Sequence, residues 1–67
     1  MPSCDDIPEH TIGRDNFDLF LDFLAASVPN RADRKTLAKC WSEQSKVPLT
    51  REMWIQVFAA GIIHHDL

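Results

Sequence analysis

Residues 53–63 read MWIQVFAAGII, a stretch in which Gln56 is the single polar side chain. A helix that is hydrophobic on nearly every side is normally surrounded by other elements. The whole chain has only 67 residues, and a chain of that size buries only about 60% of the surface its unfolded form exposes. The segment must therefore be wrapped by the few elements available, or its surplus apolar face must be shared with another molecule.

The apolar spacing upstream supplies the wrapping. Phe17, Phe20, Leu21, Leu24 and Val28 fall on one stripe at helical intervals, widened by Phe23, whereas Leu19 points away from it. Asp15 or Asn16 is placed to cap this first helix, and Pro29 ends it because the residue before a proline is driven out of the helical region. A second helix starts behind Asn30, with Asp33 positioned for a capping-box-like exchange. Leu37, Cys40 and Trp41 make its inner face, and Pro48 forces the chain to leave. A third helix opens at Thr50, with Leu49 and Trp54 as a hydrophobic staple. It closes at Gly61, with Ile62 folding back in a Schellman-type end. Residues 1–14 contain Pro2, Pro8 and Gly13 and show no periodicity.

This spacing predicts an all-α fold: a small three-helix bundle with helices at about 16–28, 31–45 and 51–60. Residues 15–67 form the one domain, preceded by a flexible arm at 1–14. The arm has Ile7 and Ile12 with which to cover part of the third helix; the alternative cover is a second chain.

Charge is unevenly divided. Residues 1–30 carry six acids against Arg14, whereas residues 31–46 carry five cations against Asp33 and Glu43. Asp15, Asp18 and Asp22 give the first helix an acidic side. Arg31, Arg34, Lys35, Lys39 and Lys46 give the second a basic one. Of the two cysteines, Cys4 sits in the polar N-terminal segment and Cys40 inside the second helix, and no signal-peptide pattern precedes them. Both are expected as thiols in a reduced, cytoplasmic protein without a structural disulfide. No apolar run approaches the length that spans a bilayer, so no membrane association is expected.

Chemistry finds little purchase in this sequence. His64, His65 and Asp66 adjoin one another, but adjacent histidines diverge and no paired metal-ligand spacing occurs, so no metal or cofactor is expected. Cys40 beside Trp41 reads as an apolar filler, and no serine is framed as a nucleophile. An enzyme acting on a small-molecule substrate is therefore not expected. A small regulatory or adaptor protein is the reading that fits. It works by protein–protein contact, as a homodimer or on another protein, through the apolar residues Leu19, Trp54, Ile55, Phe58 and Ile62. The charged faces just named orient the encounter. The alternative is a helix-turn-helix regulator that lays the basic stripe of the second helix on DNA. Against it stand a net charge of −3, an apolar third helix and a long, proline-containing connection.

Overall fold

The computed structural model describes residues 2–60. Three α-helices carry the structure: α1 (Phe17–Ser27), α2 (Arg31–Ser45) and α3 (Arg51–Phe58). The described residues contain no strand, and none of their helices is long and apolar enough to cross a membrane.

The helix ends follow from local chemistry. At α2 the Asn30 side chain accepts from the backbone N–H groups of Ala32 (2.8 Å) and Asp33 (3.2 Å). At α3 the Thr50 hydroxyl accepts from Met53 N–H at 3.2 Å. Both caps satisfy donors that have no partner within the first helical turn. Helix α2 stops before Pro48 is reached: Lys46 turns left-handed (φ 58°), and the Val47 N–H reaches back to the Ser42 carbonyl. The start of α1 differs from expectation. Asn16 makes no side-chain cap there; its amide nitrogen donates instead to the Ile12 carbonyl at 2.9 Å. Helix α3 ends at Phe58, because the Ala60 N–H bonds to Val57, three residues back, and tightens the chain into a turn. Gly61 and Ile62, the expected terminating pair, lie outside the described residues.

The core is the stripe that the spacing predicts. Phe20, Leu21, Leu24 and Val28 of α1 and its end meet Leu37, Ala38, Cys40 and Trp41 of α2, with Val57 and Ala60 from the third element. Trp41 is the centre. Its ring lies 5.2 Å from that of Phe17 and 5.6 Å, stacked, from that of Phe20.

The segment before α1 is docked on this core. It forms three single turns of 3-10 helix, at Cys4–Asp6, Glu9–Thr11 and Arg14–Asn16. Ile7 and Thr11 are buried. The Trp41 indole N–H donates to the Thr11 carbonyl at 2.6 Å, and the Gly13 N–H donates to the Ser45 hydroxyl at 2.9 Å. Ile7 and Ile12 marked the arm as able to cover apolar surface, and both pack against the core, but short turns carry no hydrophobic period, so the sequence pattern did not give the site of docking.

The cysteines correct the sequence reading. Cys4 and Cys40 form a disulfide across 36 positions, with their Cα atoms 5.4 Å apart. The expectation of two free thiols rested on the missing signal-peptide pattern and on Cys40 reading as an apolar filler. Docking of the arm against α2 instead brings Cys4 onto Cys40.

Candidate interaction face on α2 and α3

Helix α3 presents two sides. Val57 and the following Ala60 turn inward and are buried, whereas Met53, Trp54 and Phe58 are half-buried at the rim. Ile55 stands outward at 55% exposure, and the only other large apolar side chain exposed among the described residues is Leu19 on α1, at 44%. The arm packs along α1 and α2 and leaves Ile55 uncovered.

The rim of α3 is ordered by α2. Trp54 and Phe58, one turn apart, stack with their centroids 5.7 Å apart. The Arg31 guanidinium sits over the Phe58 ring, 4.5 Å from its centroid, an arrangement favoured by the negative face of the ring. Arg31, Ile55, Phe58 and Ala59 surround a shallow pocket of about 270 Å³. At the other end Lys39, Ser42 and Glu43 of α2 share a second pocket of about 250 Å³ with Leu49 and Trp54. Arg31 therefore borders Phe58 and Lys39 borders Trp54, so the two helices run antiparallel. Lys35, one turn from each cation, lies between them by helical spacing. Arg31 and Lys39, one at each end of the stripe, thus both adjoin the apolar rim of α3.

Arg34 does not belong to that surface. Its Nε donates to the Val28 carbonyl at 2.6 Å and its Nη1 to the Phe58 carbonyl at 3.1 Å. It binds the carbonyl ends of α1 and α3 together through a side chain of α2. Sequence reasoning placed Arg34 among the free charges. One signal did point elsewhere: Arg31 and Arg34 both lie in the first turn of α2, where the helix dipole disfavours cations. Each has its compensating partner outside α2.

The remaining predicted positions fall as follows. Asp15, Asp18 and Asp22 are exposed on α1 and the turn before it, around Leu19. Lys46 is the exposed left-handed residue that ends α2. Ile62, His64, His65 and Asp66 lie outside the described residues.

Among the described residues every buried side-chain nitrogen or oxygen has a hydrogen-bond partner, and no three potential metal ligands converge. A groove of about 390 Å³ runs between the arm and the α1–α2 corner. Asp6 and Asp33 are the titratable groups that line it. Compared with known proteins, the chain matches no family pattern, no characterised protein and no solved structure.

Proposed function

We propose that this protein acts by binding, as a small regulator or adaptor that makes protein–protein contacts and performs no chemistry of its own. The observation that carries this reading is the surface on α2 and α3. It joins an exposed Ile55 and a stacked Trp54–Phe58 pair to a line of cations. An aromatic and aliphatic centre with a charged margin is the composition that supplies both affinity and orientation at protein interfaces. Self-association as a homodimer belongs to the same reading, because a core this small would gain from a shared apolar face.

An NMR dilution series tests it. Amide shifts that change with concentration, or with an added partner, should cluster at Arg31, Lys35, Lys39, Trp54, Ile55 and Phe58. Shifts scattered evenly over the molecule would remove this surface from consideration.

The second reading, DNA binding by α2, is supported by the exposure of Arg31, Lys35 and Lys39 on one line. The engagement of Arg34 within the fold takes one cation from that stripe. A gel shift that appears at low salt, fades steeply with added salt and is abolished by Lys35→Glu would favour it. As for compartment, the closed Cys4–Cys40 bond favours an oxidising setting over the reducing cytoplasm.

A further inference from the structure

The two large apolar side chains exposed among the described residues, Leu19 and Ile55, sit in fields of opposite sign. Leu19 lies four residues after Asp15 and three before Asp22, the spacings that bring side chains together on a helix, and so lies along the acidic face that these form with Asp18. Ile55 shares its pocket with Arg31, follows Arg51 by one helical turn, and borders the stripe that continues to Lys35 and Lys39. The minority charges, Arg14 beside the acidic face and Glu43 and Glu52 beside the basic one, do not reverse either sign.

We propose that the occupant of the basic, Ile55-centred face is a second copy of this chain, docked through its acidic, Leu19-centred face. This rests on the reading of that surface as a contact site and names what fills it. Docking Ile55 against Ile55 would bring the cations Arg31, Lys35 and Arg51 of one copy up against those of the other. Docking Leu19 against Leu19 would do the same with Asp15 and Asp18. Acid-to-base docking removes both repulsions and places one apolar side chain against the other at the centre, where the surrounding charges exclude water. A two-fold pair makes the contact twice, since each copy offers both faces.

Complementary charge reversal tests this. One variant carries Asp15→Lys and Asp18→Lys; the other carries Lys35→Glu and Lys39→Glu. All four positions are exposed, and single-site versions replace either pair if circular dichroism shows lost helix. Sedimentation velocity at low salt should show each variant alone associating at least about tenfold more weakly than the wild type. An equimolar mixture should recover most of the wild-type association, and added salt should weaken the wild type. Either variant associating as well as the wild type, or a mixture that recovers nothing, would overturn the acid-to-base contact, as would a wild type that stays monomeric. Ile55→Asp in the same series separates the two levels. If it dissolves the wild-type oligomer while the mixture fails, the face stands and the docking partner face is wrong. If it leaves the oligomer intact, the face itself is wrong.

Discussion

The indole of Trp41 and the carbonyl of Thr11 meet at 2.6 Å across thirty positions of sequence. Both residues are fully buried, so this bond satisfies the polar end of the largest core side chain and fixes the arm over α2. A buried indole N–H without a partner would carry its full desolvation cost.

Trp41→Phe keeps an aromatic ring but removes that donor and leaves the Thr11 carbonyl without it. We expect a loss of about 1–3 kcal/mol in chemical denaturation, with faster amide exchange in residues 11–13. Unchanged exchange in that segment would mean that the arm is held by other means.

The Cys4–Cys40 bond closes a loop that takes in α1 and most of α2. On the chain-entropy account, a loop of this length stabilises the folded state by about 4 kcal/mol. The denaturation midpoint should therefore fall sharply when a dithiol reductant is added, and Cys4→Ala with Cys40→Ala should reproduce the fall. Two titratable thiols in the native protein, or equal midpoints with and without reductant, would show that the pair is not bonded.

Gly13 adopts φ 131° and ψ 155°, a region almost closed to residues with a side chain. A Cβ there would also stand 3.0 Å from the Asn16 amide nitrogen, which is held to the Ile12 carbonyl. Gly13→Ala should cost about 1–3 kcal/mol and weaken the junction between arm and α1. A neutral effect would imply that this junction relaxes freely.

Arg34→Lys should not behave as a conservative change. One ammonium cannot reproduce the planar fork that reaches Val28 and Phe58 together. We expect a loss of about 1–3 kcal/mol, with chemical-shift changes at the ends of both α1 and α3. Changes confined to one of the two helices would show that Arg34 does not couple them.

What the sequence revealed was what periodicity encodes. Phe17, Phe20, Leu21, Leu24 and Val28 share one face of a helix because of their spacing alone, and Leu37, Cys40 and Trp41 follow the same logic. Asn30 and Thr50 were legible as caps because each places a short acceptor ahead of a helical run. Thr11, Gly13 and Cys4 were not legible. Their roles depend on where a short aperiodic arm lands, which is set by a carbonyl, a backbone N–H and a sulfur meeting partners thirty or more positions away. Arg34 was hidden for a related reason: a cation on an amphipathic helix looks solvated until the carbonyls at two other helix ends are seen around it. The outward placement of Leu19 and Ile55 could be read from spacing, whereas the alignment of the basic stripe with the rim of α3 needed the packing of α2 against it.

The central claim is that the exposed apolar side of α3 is a contact surface, and the mass in solution tests it most directly. Sedimentation equilibrium on the oxidised protein should give a species heavier than the 7.7 kDa of one chain. Ile55→Asp should return it to that mass with its helical circular dichroism intact. A wild type that stays at one chain's mass across the concentration range, or an Ile55→Asp protein that remains as heavy as the wild type, would contradict the account.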